Sequence, residues 1–454
     1  MLAMAALGAP AAAVAQEPPV SRALHEALGK PDNLTISGGV RLQIESIDGQ
    51  YRPDAADSDT PLLMRTKLAV EYDAGPVRIG GELWDGRVYG QKSNSSAGTT
   101  EVNALEVVQA YLAFDLAEKA TLGVGRITLD LGSRRLVSRQ NFRNTTNAFA
   151  GVHLHLGDDD QDRLDIFWTM PQLREPNDPE GIRNNRVSLD PSSTALQFFG
   201  MSYEAPIASG FRAEAFLYGL TERDTLTVET ANRRLITPGA RLYRLPKAGL
   251  VDLDLDVAIQ RGRARRSNDP QDLVNRDVKA WAMHGEIGYT FPTPWQPRLS
   301  IVYDHGSGNR GSDTITRFDT LYGARRFDFG PTSFYGLVSR INSVSPGVRA
   351  EAKPHRRLNV FKMYRAIWLD SASDAFAATR VRDAQGQSGR FVGHQFEARA
   401  LYDLIPKLLQ LDVGGALLWK GRFLRDAPNA PDTGNTRYAY VGLNLEFDQM
   451  PARF

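Results

Sequence analysis

The stretch from Val251 to Ile259 reads Val-Asp-Leu-Asp-Leu-Asp-Val-Ala-Ile. In an extended chain, successive side chains point to opposite sides, so the three aspartates share one face and the valines and leucines share the other. This period of two is typical of a β-strand and not of a helix. The stretch therefore predicts a strand that lies between an apolar and a polar environment.

Many other segments show the same alternation, and their polar faces carry both signs of charge. From Ile36 to Glu45 the polar face includes Arg41, and Leu62 to Tyr72 repeats the pattern. A soluble β-sandwich could bury one such apolar face. Lipid outside and water inside is the simplest arrangement that satisfies so many two-faced strands. We therefore predict an all-β fold, a transmembrane antiparallel up-and-down β-barrel.

The sequence contains about eighteen candidate strands, an even number of the size found in single-chain outer-membrane barrels. They are flanked by Gly, Pro, Asn and Asp residues, which favour turns. The candidate strands are Ile36–Glu45, Leu62–Tyr72, Val77–Trp84, Leu105–Phe114, Ala120–Arg126, Gly151–Leu156, Arg163–Met170, Thr194–Tyr203, Phe211–Leu220, Ile236–Arg244, Leu250–Gln260, Val278–Phe291, Pro297–Asp304, Val344–Glu351, Arg357–Leu369, Phe391–Leu404, Leu408–Gly421 and Arg437–Phe447.

The connections between these strands are alternately short and long. Short periplasmic turns and long extracellular loops are the layout of bacterial barrels. The short connections are Asp73–Pro76, Asp115–Lys119, Gly157–Asp162, Glu204–Gly210, Leu245–Gly249, Pro292–Gln296 and Ile405–Lys407. The long ones are Ile47–Pro61, Asp85–Asn103, Thr128–Ala150, Pro171–Ser193, Thr221–Leu235, Arg261–Asp277, His305–Ser343 and Asp370–Gly389.

Aromatic residues lie near many strand ends, which predicts girdles at the two membrane–water interfaces. Aromatic residues also fill ordinary protein cores, so each one is weak evidence for a girdle and the prediction depends on the whole set. The set is Tyr72, Trp84, Trp168, Tyr203, Tyr218, Tyr289, Phe291, Trp295, Trp368, Tyr402, Trp419 and Phe447.

The composition of the 454-residue chain conceals this membrane signal. Its hydrophobic content is 42% and its mean hydropathy is −0.35, as expected when only alternate residues meet lipid. The one long apolar stretch, residues 1–15, is too short for a spanning helix and ends in the tripeptide Ala-Val-Ala, which resembles a cleavage site. We predict a signal peptide at 1–15, a periplasmic lead-in at 16–33 and the barrel at 34–454.

The charged residues narrow the possible partners. The chain has no cysteine, which excludes disulfides and thiolate metal sites, and a net charge of only +1 argues against nucleic acid. Its positive residues are 44 Arg and 10 Lys. Arginine binds carboxylates through paired hydrogen bonds, so the excess suits an anion pathway, although a GC-rich genome would also enrich arginine.

Two stretches carry motifs of a known family. The first reads Gly125-Arg126-Ile127-Thr128-Leu129-Asp130-Leu131-Gly132-Ser133-Arg134-Arg135-Leu136-Val137-Ser138, and continues through Asn141-Phe142-Arg143-Asn144 to Asn147-Ala148-Phe149. The second comprises Phe318-Asp319-Thr320-Leu321-Tyr322-Gly323 and Pro354 through Asp370. Together with the closing strands from Gly393 to Phe447, they resemble the alginate export family of outer-membrane barrels. The chain departs from the family at Gly323-Ala324-Arg325-Arg326, where a proline-containing turn is expected.

The resemblance covers nearly the whole mature chain. It implies an eighteen-strand barrel with an electropositive lumen, through which an anionic uronate polysaccharide diffuses passively. We further predict a monomer in the cell outer membrane, surrounded by lipid and lipopolysaccharide. Periplasmic proteins that export or degrade the polysaccharide would be further partners. The sequence does not distinguish export from import.

The loop from Gly125 to Gly151 is the first candidate for a pore constriction. A long basic loop rich in Asn and Gly can fold into a barrel mouth, where several guanidinium groups would replace the hydration of a carboxylate. The alternative is a solvated external loop that contacts lipopolysaccharide phosphates. The candidate residues in this loop are Arg126, Arg134, Arg135, Arg139 and Arg143, against the single acid Asp130.

Inward-facing cations on the strands form a second candidate set, to which cations near the later motif are added. Acids share the inward face, and lumen charges in barrels often pair with one another, so we expect most acids to be paired and some arginines to stay available. The cations are Arg41, Arg65, Lys67, Arg78 and Arg399, with Arg325, Arg326, Arg356 and Arg357 near the later motif. The acids are Glu45, Glu71, Glu82, Glu214, Asp252, Asp254, Asp256, Glu397 and Asp412. Inward Tyr111, Phe216 and Tyr218 could stack on sugar rings or pack under a loop.

Catalytic and metal-binding patterns are weak throughout. His153 and His155 share a strand face, but no third ligand is identifiable nearby. The acidic turn Asp158–Asp162 lacks the spacing of a calcium loop, and no dinucleotide, Walker or nucleophilic serine motif is present. We therefore predict a channel without enzymatic activity, metal or cofactor. The competing hypotheses are a porin for other small anions or sugars on the same scaffold and, from another class, a secreted β-rich carbohydrate-active enzyme.

Overall fold

The computed structural model describes residue 29 and residues 33–447, except residues 159, 312, 377 and 378. The predicted signal peptide and nearly all of the lead-in lie outside the described residues. Eighteen long antiparallel strands form one sheet. They are β1 (Leu34–Asp48), β3 (Leu62–Asp73), β4 (Val77–Tyr89), β5 (Asn103–Ala117), β6 (Ala120–Ile127), β7 (Phe149–Gly157), β8 (Arg163–Pro171), β9 (Leu196–Pro206), β10 (Arg212–Glu222), β11 (Arg234–Arg244), β12 (Val251–Ala264), β13 (Arg276–Thr290), β14 (Arg298–Gly306), β16 (Ser343–His355), β17 (Leu358–Trp368), β18 (Phe391–Ile405), β19 (Leu409–Lys420) and β20 (Thr436–Phe447).

The sheet closes on itself through its first and last strands. β1 pairs with β20 from Gly38 opposite Phe447 to Asp48 opposite Arg437, and with β3 on its other side. Closure leaves no sheet edge unpaired, which is what a β-structure in lipid requires. Two-residue strands extend the rim: β2 (Ser58–Asp59) pairs with β1, and β15 (Thr314–Ile315) pairs in parallel with β13. The predicted barrel is confirmed.

All eighteen predicted strands are present, and the stretch that predicted the fold behaves as expected. On β12, the exposed residues include Val251, Leu255 and Val257, whereas Asp252 and Asp256 are buried. Exposed apolar side chains form the lipid-facing surface of a barrel, whereas charged side chains that are buried inside it face the aqueous interior. Most strands are longer than predicted, because the backbone pairing continues beyond the membrane, where the apolar alternation is no longer needed.

Two residues of the predicted girdle, Trp84 and Tyr218, lie inside the barrel instead, and Tyr218 packs in the inner core. Trp84 is 2% exposed and lies inside the barrel. Its indole Nε1 donates to Glu82 at 2.7 Å, and the guanidinium of Arg65 lies over its ring at 4.8 Å. The signal was in the alternation, since Arg78 and Glu82 were predicted to face inward and Trp84 continues that face. Trp168 and Trp419, in contrast, are exposed on the outside.

The short turns and the long loops lie at opposite ends of the barrel, because consecutive strands run antiparallel. Loops L1 (49–61), L2 (90–102), L3 (128–148), L4 (172–195) and L7 (307–342) lie at the long-loop end. Three short helices occur in the described loops: α1 (Pro179–Arg183), α2 (Arg326–Phe329) and α3 (Arg422–Asp426). Among the described residues, no helix combines the length and apolar character needed to traverse a bilayer.

The core lies inside the barrel, beneath the loops that enter it. Leu129, Leu131 and Val137 of L3 pack against inward aromatic side chains of the wall. Phe216 and Tyr218 belong to this cluster and stack on each other, with their ring centroids 4.9 Å apart. Of the two roles predicted for these aromatic residues, the structure therefore favours packing under a loop. A second cluster holds Phe334, Tyr335, Leu337 and Val338 of L7.

Candidate functional site

L3 and L7 meet inside the barrel, and so bring together the two stretches that carried the family resemblance. Val137 bridges Tyr322 in parallel, the Tyr322 amide donates to the Leu136 carbonyl at 3.0 Å, and the Ala324 amide donates to the Arg134 carbonyl at 2.9 Å. A Cβ atom at Gly323 would lie 1.7 Å from the Arg135 carbonyl oxygen, so only glycine permits this approach. The two loops form one inner layer that narrows the lumen.

Arg135 fixes this inner layer to the barrel wall. Its guanidinium lies 3.0 Å from Asp254, 3.2 Å from Asp256 and 3.0 Å from Asp328. The first two aspartates belong to β12 and the third to α2 of L7. Burial acts to lower the pKa of Arg135, but the aspartate charges outweigh it and raise that pKa above its usual value. Arg135 is therefore a structural cation, although the sequence placed it among the pore candidates.

Two further arginines complete this anchor cluster, which we define as Arg135, Arg340, Arg365, Asp254, Asp256, Asp304 and Asp328. Arg340 hydrogen-bonds the Asp328 carboxylate. Arg365 is fully buried, donates to Ser345 Oγ at 2.6 Å and lies 3.5 Å from Asp304. Oxygen and nitrogen atoms of His284, Asp304 and Asp328 come within 4.8 Å of one another. The guanidinium groups already neutralise those carboxylates, so this set is poorly suited to a metal ion.

The two histidines considered as metal ligands share an acid instead. His153 Nε2 lies 3.0 Å and His155 Nδ1 lies 2.9 Å from the same oxygen of Asp165. Asp165 is on β8, opposite His155 on β7. The sequence did not identify this third group, because register between neighbouring strands is needed to see it.

Five more of the predicted pore cations lie within 4.0 Å of a carboxylate. Such pairs hold the wall and the loops in place and leave less charge for a passing solute. The pairs are Arg126–Glu106 at 2.5 Å, Arg139–Glu82 at 2.5 Å, Lys67–Glu446 at 2.9 Å, Arg326–Glu397 at 2.6 Å and Arg134–Asp130 at 3.9 Å. The inward cations Arg78 and Arg399 are likewise paired, with Asp115 at 2.9 Å and Asp412 at 2.6 Å. Arg356 and Arg357 lie in the short turn after β16, away from the inner layer.

Arg41 and Arg65 bind the backbone of L3 instead of a carboxylate. Arg41 donates to the carbonyl of Asn141 at 3.2 Å and to the side chain of Asn144 at 2.9 Å. Arg65 donates to the carbonyls of Asn141 at 2.7 Å and Arg143 at 2.9 Å. In the described part of the chain, neither guanidinium forms a salt bridge. These two wall residues therefore hold the end of L3 while their charge is only partly compensated by carbonyl dipoles.

Arg143 and Arg325 have neither a salt bridge nor a side-chain hydrogen bond to any described residue. Both are half-buried, and Arg143 Nε is a buried donor without an acceptor. Burial, with the charges of Arg174 and Arg325, lowers the pKa of Arg143 well below its usual value. Burial and the charge of Arg52 lower the pKa of Arg325 in the same way. Arg143 of L3 and Arg325 of L7 therefore lie close to each other and to further arginines of the same charge.

Arg52 and Arg174 complete this arginine cluster, defined as Arg52, Arg143, Arg174 and Arg325. Arg52 donates to the carbonyls of Phe334 at 2.7 Å and Tyr335 at 2.8 Å. A Cβ atom at Gly336 would lie 2.8 Å from Arg325 Nη2 and 3.3 Å from Arg52 Nη2, so these two guanidinium groups lie side by side.

The hydrogen bonds of Arg174 to described residues likewise involve neutral acceptors only. Arg174 donates to the carbonyl of Thr146 and to the side chain of Asn147, each at 2.7 Å. The acids that influence it, Asp190 and Glu101, form no salt bridge with a described residue. Four cations against two acids leave the cluster net positive. The sequence did not predict Arg52 and Arg174, because nothing in L1 or L4 shows which long loops enter the barrel.

Comparisons with known proteins agree with this geometry. A family model described as "Alginate export" matches residues 33–438. A search of curated protein sequences finds no match. Solved structures with a similar fold include three outer-membrane proteins of Pseudomonas aeruginosa. They are OccK9 (OpdG), with TM-score 0.60, 13% identity and coverage of 92% of this chain and 98% of that chain; OccK5 (OpdH), with 0.57, 12%, 92% and 99%; and OpdK solved with vanillate, with 0.56, 12%, 91% and 98%.

Proposed function

Because the chain belongs to the alginate export family and is an outer-membrane barrel channel, we propose that it conducts an anionic uronate polysaccharide, or its oligomers, by passive diffusion. The observation that carries this proposal is the arginine cluster in the lumen. Arg143 and Arg325 are half-buried and lack an acid partner among the described residues, so their hydrogen-bond donors would be available to a solute.

The mechanism follows from the spacing of weak contacts. A guanidinium binds a carboxylate through two parallel hydrogen bonds and so replaces part of its hydration. Uronate chains carry a carboxylate on every sugar, so one residue of the chain can be released while the next is bound. Conduction requires several binding contacts between the solute and the pore, each of them weak enough for the solute to leave. The cations that contribute are Arg143, Arg325, Arg52 and Arg174 in the cluster, with Arg41 and Arg65 beside it.

A second candidate function is a porin for small organic anions. OpdK, which has a similar fold, was solved with vanillate, an aromatic carboxylate. The same arginine cluster would attract such a solute, so charge alone does not separate the two candidates. The length of the solute separates them, because only a polymer can bind several arginines at once.

The test is a single-channel recording of the purified protein in a planar bilayer. Oligouronates of increasing length should interrupt the ion current for times that lengthen with the number of sugars, whereas neutral oligosaccharides of equal length should not. The double variant Arg143→Gln/Arg325→Gln should lose this dependence. If vanillate and oligouronates interrupt the current equally and briefly, the second candidate is correct. Release of unsaturated oligomers from the polymer would instead identify an enzyme.

A further inference from the structure

The outer surface of the barrel carries a group of cations at the edge of its apolar, lipid-facing band. Arg234 on β11, Arg261 and Arg263 on β12, and Lys279 on β13 are all exposed and point away from the lumen. They lie at the ends of these strands that connect to long loops. We refer to these four residues as the outer basic patch. Loops of this kind are extracellular in bacterial barrels, so the patch faces the outer leaflet.

The strand register brings the four charges together. Arg234 lies opposite Arg263, and Arg261 lies opposite Lys279. Directly opposed residues of antiparallel strands have Cα atoms about 4.5–5.5 Å apart, and alternate residues on one strand are about 7 Å apart. The whole patch therefore spans roughly 10–15 Å. Like charges directly opposite each other destabilise a sheet, so an anion from outside the chain would relieve a real repulsion.

The chain itself compensates this patch only weakly. Asp277 lies 3.4 Å from Arg263, but the two side chains are 59% and 71% exposed, where an ion pair contributes little. Arg261 donates to the Gln260 carbonyl at 3.0 Å. Arg234 and Lys279 form no ion pair with any described residue. Four cations thus share one exposed acid.

The residues below the patch place it at the level of the lipid headgroups. Two positions closer to the membrane centre on the same outward face are Ile259 on β12 and Trp281 on β13, opposite each other. Val257 continues the apolar face below them and is exposed. Tryptophan favours the boundary between the acyl chains and the headgroups. The cations begin directly above this boundary, where the charged groups of the outer leaflet lie.

We propose that the outer basic patch binds the phosphate groups of lipid A, the membrane anchor of lipopolysaccharide. Bisphosphorylated lipid A carries anionic groups fixed at the headgroup level, and arginine and lysine bind phosphate through charge-assisted hydrogen bonds. Its acyl chains lie against the apolar face formed by Val257, Ile259 and Trp281. A free phosphate ion would gain the charge contact but not this apolar contact, so lipid A is favoured. The proposal depends on the outer-membrane location and not on the solute that the pore conducts.

The experiment measures binding of defined lipids to the full-length protein in detergent by native mass spectrometry. The probes are bisphosphorylated lipid A, dephosphorylated lipid A, and inorganic phosphate as a competitor. The test variant replaces the whole patch with glutamine: Arg234→Gln, Arg261→Gln, Arg263→Gln and Lys279→Gln. The matched control removes four exposed cations at the opposite end of the barrel: Lys247→Gln, Lys353→Gln, Arg356→Gln and Lys407→Gln. Heat-modifiable gel mobility confirms that each variant is folded.

We expect the unmodified protein and the control to bind bisphosphorylated lipid A about tenfold or more tightly than the dephosphorylated form, and the patch variant to lose this preference. Equal binding of both lipids by the unmodified protein would overturn the proposal. So would a phosphate preference that survives in the patch variant. Displacement of lipid A by inorganic phosphate at equal concentration would assign the patch to free anions and would also reject lipid A as its ligand.

Discussion

Arg135 and Arg143 are eight residues apart in L3, and both lie inside the barrel, but their surroundings are opposite. Arg135 is surrounded by Asp254, Asp256 and Asp328, whereas Arg143 has no acid partner among the described residues and lies beside Arg174 and Arg325. The comparison shows that a basic loop in a lumen can combine two roles. Arg135 is paired with acids of the wall and of L7, whereas Arg143 has no acid partner among the described residues, and this difference is the basis of the solute-binding role that we propose for Arg143.

The largest expected effect is a loss of stability when Arg135, which anchors one end of L3 to the barrel wall, is replaced. Arg135→Ala removes the cation shared by the buried Asp256 and Asp328 and the partly buried Asp254, and breaking a buried ion pair in this way costs about 3–5 kcal/mol. The variant should therefore lose its heat-modifiable gel mobility at a clearly lower temperature than the unmodified protein. Arg143→Ala, the matched control on the same loop, should change this temperature little. Equal losses in both variants would contradict the distinction between the two arginines.

A smaller effect is expected at the held end of L3. Arg41 and Arg65 donate charged hydrogen bonds to backbone carbonyls of residues 141–143, and a hydrogen bond to a charged group contributes about 1.5–3 kcal/mol. Arg41→Gln/Arg65→Gln should loosen this segment, which would appear as a noisier open-channel current with a higher mean conductance. Arg399→Gln, which removes a wall cation paired with Asp412, is the control. An unchanged current trace in the double variant would show that these bonds do not position L3.

The effect on ion selectivity is smaller again per charge. A unit charge about 4–8 Å from a passing ion in water contributes ~0.5–1 kcal/mol, with opposite sign for an anion and a cation, which corresponds to roughly a fivefold to thirtyfold change in the ratio of anion to cation permeability. Arg143→Gln and Arg325→Gln should each lower this ratio by about that factor, as measured by reversal potentials in a salt gradient. Arg139→Gln, at an arginine paired with Glu82, should lower it less. A larger change in the paired variant would reverse the roles that we assign.

The smallest expected effect is on the unfolding temperature when the pH is lowered. Burial acts to raise the pKa of Asp370, but the hydrogen bonds from His305, the Gly308 amide and Arg310 lower that pKa below its usual value. An aspartate of this kind stabilises the fold above its unfolded pKa of about 3.9 and loses that contribution as the pH falls below it. The unfolding temperature should therefore fall less between pH 6 and pH 3 in Asp370→Asn than in the unmodified protein. Parallel curves would show that Asp370 does not contribute.

The paired and unpaired arginines also show where sequence-based reasoning ends. Arg126, Arg135, Arg139 and Arg143 look equivalent in the sequence from Gly125 to Gly151. Their partners lie on β5, on β12 and α2, and on β4, whereas Arg143 has none among the described residues. Sequence distance carries no information about these pairings, so the candidate set contained anchors and available cations together. It also omitted Arg52 and Arg174, which come from other loops.

The sequence by itself determined the barrel, its eighteen strands, the faces of most side chains and the ends that carry long loops. It could do so because a strand between lipid and water must alternate in polarity, and that pattern is local. Only the tertiary structure decided which loops enter the lumen and which arginines meet an acid there. Those outcomes depend on contacts between residues far apart in the chain, such as Arg135 with Asp328, and the charge of a residue does not reveal its partner.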